Sequence, residues 1–392
     1  MKQMKCALLA LIAVAGAAAA AMEPQTMDGR DLAYTKARLA AADPAYRPAF
    51  DALVHDADAL LALRAESVTY KKLVPPSGDK HDYLSLAPYW WPDPARPNGL
   101  PYKLRDGEFN PSAKNDETDS VRMGTMCHGV EKLALAYYFT GEKKYALKAA
   151  EALRTWFIDP ATRMHPNLQF GQAVMGKVEG RGTGLIDTRN LWMVTDGVAL
   201  IETSGALSQA EVGAIKQWFG AFGGWMRTSR LGQDEAQAAN NHGMFYDMQL
   251  AAYALFTGEQ ELARSAVRNA LEQRIAQQVE PDGSQPRELA RTTPFHYSAF
   301  NLDAMTTLAR YGEQLGIDVW HARGMRRAID YLLPYSVSPA SWPHKELRGP
   351  ETAMMLPILL RAERAYGTGE YAPAAVGAQD SVERLIWPLR SR

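Results

Sequence analysis

Residues 133–157, LALAYYFTGEKKYALKAAEALRTWF, carry an apolar helical pattern, a Thr-Gly break and a second helical pattern. Residues 250–275, LAAYALFTGEQELARSAVRNALEQRI, repeat that plan, with FTGE recurring at 139–142 and 256–259. In each copy Gly stands where a helix ends in the left-handed region, and Glu opens the next helix, where a negative charge suits the N-terminal dipole. LLRAERAYGTGEYAPAAV at 359–376 is a weaker third copy. A single helical hairpin cannot bury its own apolar face, so recurring hairpins predict a helical array or an α/α toroid.

Outward from these hairpins, residues 28–70 read as two helical segments parted near Pro44 and Pro48. Further helices fit 190–204, 208–228, 299–315 and 320–333. Three stretches lack a helical period: 74–111, 164–190 and 278–302. All are rich in Gly, Pro and polar residues, and loops of such length in a compact domain are commonly functional. No run of alternating strands is long enough for a sheet domain. The expectation is one all-α domain over 22–392, with the long loops gathered at one end to shape a cleft.

The first 21 residues, two lysines and then an apolar run ending in small residues, read as a secretory signal peptide. This predicts a secreted or periplasmic protein with no membrane anchor in the mature chain. Of two cysteines only Cys127 would survive cleavage, so no intrachain disulfide is expected and stability must come from a large core. With 43 basic and 44 acidic residues the chain has no excess of positive charge to attract nucleic acid. The eight histidines include no HxxH or HExxH spacing, so no metal or other cofactor is expected.

The polar run NNHGMFYDMQ (240–249) leads directly into the second hairpin and places His242, Tyr246 and Gln249 on one helix face. A second set, Arg287, Arg291, His296 and Tyr297, lies in RELARTTPFHYSAFNL, inside the third irregular stretch. Amides, imidazole, arginine and tyrosine together suit β-elimination on a uronic acid. The C5 proton is weakly acidic beside a carboxylate, so an enzyme must neutralise that carboxylate and supply a base and an acid. Arginine beside a tyrosine lowers the cost of a phenolate. In the first irregular stretch, Lys80, His81, Tyr89, Trp90 and Trp91 would either line a sugar cleft or form a strap over helix ends.

NNHGMFYDMQ, DKHDYLSLAPYWWPDP, EGRGTGLIDTRN and DGSQPRELARTTPFHYSAFNL resemble the alginate lyase superfamily, in particular polysaccharide lyase family 38, over roughly residues 75–335. The pattern is also similar to polysaccharide lyase family 5. The resemblance implies an α/α toroid (an incomplete α/α barrel) and cleavage of β-linked uronates such as polymannuronate or glucuronan, leaving 4,5-unsaturated ends. It implies that Tyr297 is the catalytic acid and base, that Asn241 neutralises the carboxylate, and that His242 and Arg291 assist. Asn240, Arg287, Lys80, His81, Trp90, Trp91, Arg189 and Tyr246 are the candidate substrate contacts, Tyr246 with packing as its alternative. The partner implied is an acidic polysaccharide.

Two rival readings remain. An inverting glycoside hydrolase would need two carboxyl groups about 6.5–9.5 Å apart, for which Asp187, Asp247 and Glu288 are available. A periplasmic uronate-binding protein without catalysis would need no acid or base.

Overall fold

The computed structural model describes residues 22–375 and 377–390, so the expected signal peptide lies outside the described residues. The helices are α1 (Gly29–Ala40), α2 (Arg47–Leu61), α3 (Ser120–Thr140), α4 (Lys143–Leu153), α5 (Trp192–Ile201), α6 (Gln209–Thr228), α7 (Arg230–Ala236) and α8 (Asn241–Thr257). They continue as α9 (Gln260–Asn269), α10 (Ala276–Gln278), α11 (Pro286–Leu289), α12 (Pro294–Leu315), α13 (Met325–Val337), α14 (Met355–Tyr366) and α15 (Glu383–Ile386). Among the described residues, strands are confined to two short pairs. β1 (Leu84–Leu86) runs parallel to β4 (Phe170–Ala173), and β2 (Trp90–Trp91) runs antiparallel to β3 (Lys103–Leu104). The fold is an all-α toroid of helical hairpins.

The repeated hairpins form as their sequences dictate. Gly141 ends α3 at φ +76° and Gly258 ends α8 at φ +85°, each in the left-handed region that glycine enters without a Cβ penalty. Glu142 and Glu259 stand at the starts of α4 and α9. Both second helices run on into a π turn, Arg154–Ile158 and Ala270–Ile275. The third copy departs from the plan. Gly367 ends α14 at φ +59°, but Gly369 is again left-handed and no helix follows over 368–375, where Pro373 stands.

One core runs through the molecule. Between α6, α8 and the first π turn, Phe157, Trp218, Phe219, Phe222, Tyr253 and Phe256 pack edge-on, tilted or stacked at 4.8–5.7 Å. Each buried aromatic contributes roughly 1.5–3 kcal/mol. α8 is among the most enclosed helices, with 15 of its 17 residues buried. That explains why its polar row needs internal partners. Gln249 accepts from Thr188 (2.6 Å) and Tyr253 (3.1 Å), so it braces the 182–190 loop instead of meeting solvent. Among the described residues, no helix is long and apolar enough to cross a membrane.

The N-terminal segment is fastened by one buried carboxylate. Asp196 on α5 accepts the backbone N–H groups of Gln25, Thr26 and Met27 at 2.7–3.0 Å. Burial pushes its pKa up from the usual carboxylate value to about 6, against the pull of those N–H bonds. The folded state therefore holds this proton more tightly than the unfolded chain. The stability it contributes is complete below the unfolded value near ~4 and is lost as pH rises through about 6, with a slope of about 1.4 kcal/mol per pH unit. Unfolding free energies of wild type and Asp196→Asn should accordingly differ by an amount that declines between about pH 4 and pH 7; a pH-independent difference would contradict this account.

Candidate active site

The start of α8 is built from the loop that follows α7. Asn240 is the N-cap, its side chain accepting from the His242 N–H (3.3 Å). Arg274, from the second π turn, reaches under the loop and donates to the carbonyls of Ala236 (2.5 Å) and Ala238 (2.8 Å) while pairing with Asp247 (3.0 Å). Gly243 makes that approach possible, since a Cβ there would lie 2.1 Å from the Ala238 carbonyl and 2.7 Å from Arg274. Asn241 is buried; its backbone N–H and its Nδ2 donate to the two oxygens of Glu288, each at 2.7 Å. Its Oδ1 is buried without a partner among the described residues, a costly state that a donor on a bound ligand would relieve. His242 turns Nδ1 onto the buried carboxylate of Glu235 at 2.6 Å. A carboxylate there fixes Nδ1 as the protonated nitrogen and leaves Nε2 for chemistry.

Of the second set, His296 and Tyr297 sit on the first turn of α12, which begins at Pro294, so that helix already occupies the end of the stretch 278–302 expected to lack one. Pro294 occupies the first position of that helix, where its missing N–H costs nothing. The Tyr297 hydroxyl accepts from Arg291 Nη2 and donates to the Tyr89 hydroxyl, both at 2.8 Å. The guanidinium carbon of Arg291 also lies 3.7 Å from the Tyr297 ring centre. Asp106 holds Arg291 by two bonds of 2.6 and 3.2 Å. Burial raises the Tyr297 phenol well above its usual range, with Tyr89 adding to the shift and Arg291 opposing it. The expected easing of the phenolate by Arg291 is thus outweighed by burial, in keeping with Asp106 offsetting the guanidinium charge. Burial likewise raises Glu288, while Asn241, Arg291 and His242 pull it down. The Asn241–Glu288 hydrogen bonds, with Glu288 just ahead of Arg291 in the chain, bring the two halves into one site.

The stretch 74–111 forms a strap, and its residues divide between site and fastening. Tyr89 and Asp106 reach Tyr297 and Arg291. Lys80 instead donates to the Lys71 carbonyl (2.8 Å), beside the fully buried Lys71–Asp119 ion pair, also at 2.8 Å. His81 binds the Arg163 carbonyl (2.6 Å) and lies against the His165 ring at 5.4 Å. Lys80 and His81 thus fasten the strap, and their assignment as substrate contacts gives way to that role. Trp90 and Trp91 are half-buried on the β2–β3 hairpin, with Lys177 4.6 Å from the first ring and Arg105 5.2 Å from the second. Arg287 is exposed on α11. Tyr246 is buried with its hydroxyl toward the Met226 carbonyl (3.3 Å), so it packs in the core and is not a substrate contact. Arg189 lies with its guanidinium 5.5 Å from the Phe300 ring, one turn beyond Tyr297.

Two partners escaped the sequence reading. Glu235 lies in α7, before the polar run, and Asp106 is one of several charged residues in the strap. Neither carries a local signal, because only the fold brings them to His242 and Arg291. The three carboxylates considered for a hydrolase are otherwise engaged. Asp187 accepts from Tyr83 (3.1 Å), Ser85 (2.6 Å) and Gln172 (3.2 Å). Asp247 pairs with Arg274, and Glu288 holds Asn241. Gln172 is kept at φ +49° by those bonds and by Arg181, which donates to its side chain at 2.9 Å.

The fold has known counterparts. The family model for alginate lyase matches residues 67–342. The chain belongs to the alginate lyase family. An alginate lyase from Bacteroides ovatus superposes with a TM-score of 0.89 at 38% identity, covering 95% of this chain and 100% of that one. Alginate lyase A1-III from Sphingomonas species A1 superposes at 0.57 with 15% identity, covering 95% and 98%. A variant of A1-III complexed with tetrasaccharide reaches 0.60 at 14% identity, covering 95% and 98%. Comparison with curated proteins gives no match. As a family member the protein is a polysaccharide lyase, which removes both rival readings of its class.

The clamp beneath α8 gives this lyase a direct test. Gly243→Ala would push the Ala238 carbonyl and Arg274 apart and should lower stability by about 1–3 kcal/mol, with activity lost alongside. Gly213→Ala, on an exposed turn of α6 with nothing within 4 Å of the new Cβ, should raise stability by about 0.5–1 kcal/mol. Thermal unfolding and initial rates of the two variants check the pair.

Proposed function

We propose that the enzyme cleaves β-linked uronate polymers, alginate polymannuronate and glucuronan among them, by β-elimination. Tyr297 is the acid and base in this reading, and Asn241 and His242 receive the substrate carboxylate. The observation that supports it is the Tyr297 hydroxyl, held at 2.8 Å by both Arg291 and Tyr89 on the first turn of α12. The names of the similar structures, all alginate lyases, support the substrate class.

The chemistry runs from these residues. Tyr297 and His242 both sit in the first turn of a long helix, where the helix dipole favours negative charge. A uronate carboxylate drawn there, accepting from the remaining Nδ2 hydrogen of Asn241 and from His242 protonated on both ring nitrogens, makes its C5 proton easier to remove. Tyr297 first releases its own proton along its hydrogen bond to Tyr89 toward solvent, with Arg291 stabilising the phenolate. The phenolate takes the C5 proton, and the resulting phenol then gives a proton to the departing O4, which leaves the phenolate ready for the next cycle. The C4–O4 bond breaks as the C4–C5 double bond forms. Arg291 serves Tyr297 in this scheme, because its guanidinium is already held by Asp106.

In mannuronate and glucuronate the C5 proton and O4 lie on the same face, so one tyrosine serves both steps. In guluronate they lie on opposite faces. For guluronate we assign that proton to His242 in its neutral form, with Nδ1–H on Glu235 and Nε2 bare. This reading also takes residues 1–21 as an export signal and the mature enzyme as secreted or periplasmic.

A panel of polymannuronate, polyguluronate, glucuronan, hyaluronan and pectate, followed by the ultraviolet absorbance of the new double bond, tests the assignment. Polymannuronate or glucuronan should be cleaved fastest. Tyr297→Phe should lower kcat by about 10²–10⁴-fold or more on every substrate. Glu235→Gln should lower activity on polyguluronate more than on polymannuronate. Wild-type rates from Tyr297→Phe would overturn the reading.

A further inference from the structure

A line of contacts leads away from Tyr297 along α12. His296 lies edge-on to Tyr297 at 5.2 Å and stacks with Phe300 at 5.9 Å and 15°. Arg189 lies 5.5 Å from the Phe300 ring. Beyond Arg189 opens a cavity of about 260 Å³, walled on one side by Asp187, Arg189 and Asn190 and on the other by Gly124 and His128 of α3, with Lys114 at its edge.

The charges in this cavity are arranged for an anion. Asp187 is satisfied from behind by Tyr83, Ser85 and Gln172. Among the described residues, the only hydrogen bond of the Arg189 guanidinium is to the Ile186 carbonyl (3.2 Å), which leaves most of its donors open. Lys114 is exposed, and its ammonium group has neither an ion pair nor a hydrogen bond among the described residues. Asn190 and His128 meet at 3.4 Å across the cavity. Gly124 lies inside α3, where glycine is disfavoured, yet nothing lies within 4 Å of where its Cβ would stand. The residue that leaves this space open is one the helix would not choose for its own stability.

We propose that this cavity is a uronate-binding subsite, taking a sugar residue of the polymer beyond those at the cleavage point. Arg189 and Lys114 hold that residue's carboxylate, Asn190 and His128 meet its hydroxyls, and the bare backbone at Gly124 makes room for the ring. The subsite rests on the reading above only in taking a uronate chain as the ligand. It gives the enzyme a preference for substrates long enough to span both Tyr297 and the cavity.

The test measures binding of a saturated mannuronate tetrasaccharide by calorimetry in the Tyr297→Phe protein, with Gly124→Leu or Lys114→Ala added. KM for polymannuronate is measured in the same two variants with Tyr297 intact. Both variants should weaken tetrasaccharide binding and raise KM by about tenfold. Lys114→Ala should also flatten the dependence of binding on salt, which a purely structural role would not do. A dissociation constant and KM within about twofold of the parent in both variants would overturn the subsite while leaving the catalytic reading untouched. Unsaturated product from the Tyr297→Phe protein would overturn the catalytic assignment instead, and the KM comparison would still decide the subsite.

Discussion

Two hydrogen bonds of 2.7 Å from Asn241 to Glu288 join the two halves of the site. Glu288 sits on the short helix just before Arg291 and Tyr297, and Asn241 is the first residue of the helix that carries His242. Together with the Phe245–Phe300 ring contact at 4.3 Å and the bonds from Gln278 to the Asn240 carbonyl and from Asn301 to Gln278, this link keeps the starts of α8 and α12 in register. The link is buried, and charge-assisted hydrogen bonds of this kind are among the stronger ones a protein makes. Around it, Arg274 holds the preceding loop from below, and Gly243 gives Arg274 the space to do so. The polar run at 240–249 is therefore largely a bracket around His242.

The electrostatics of the site are a balance between burial and convergent positive ends. Burial raises both the Tyr297 phenol and the Glu288 carboxyl. Arg291 and the N-termini of α8 and α12 act the other way, but Asp106 takes up part of the arginine's charge. Tyr297 is thus held as a neutral phenol in a network of short hydrogen bonds. Tyr89 is the member of that network contributed by the strap, which explains why a long aromatic loop is fastened so firmly at its base by Lys80 and by the Lys71–Asp119 pair.

Much of the fold was legible because hairpin periodicity and terminal glycines are local signals. FTGE at 139–142 and 256–259 marked both turns, and the structure adds that each second helix closes in a π turn. The third copy misled because Gly367 gives the same stop signal whether or not a helix follows. Within the site, the positions of Tyr297, His242, Asn241 and Arg291 were marked by residue type and by resemblance. Their partners Glu235 and Asp106 were not, since a carboxylate that orients a histidine or an arginine needs no fixed spacing in sequence. Tyr246 and Lys80 misled in the opposite sense. Each has the chemistry of a ligand contact, but the fold turns one inward to the Met226 carbonyl and ties the other to the Lys71 carbonyl.

The central claim is that Tyr297 stands over both the C5 proton and O4 while Asn241 and His242 take the carboxylate. A crystal structure of Tyr297→Phe with a saturated mannuronate oligomer tests it most directly. The account predicts the scissile residue's carboxylate against Asn241 and His242, with the edge of the substituted ring facing C5 and O4 on one side of the sugar. A glycosidic oxygen bound between two carboxylates, or a sugar carboxylate turned away from Asn241 and His242, would contradict it.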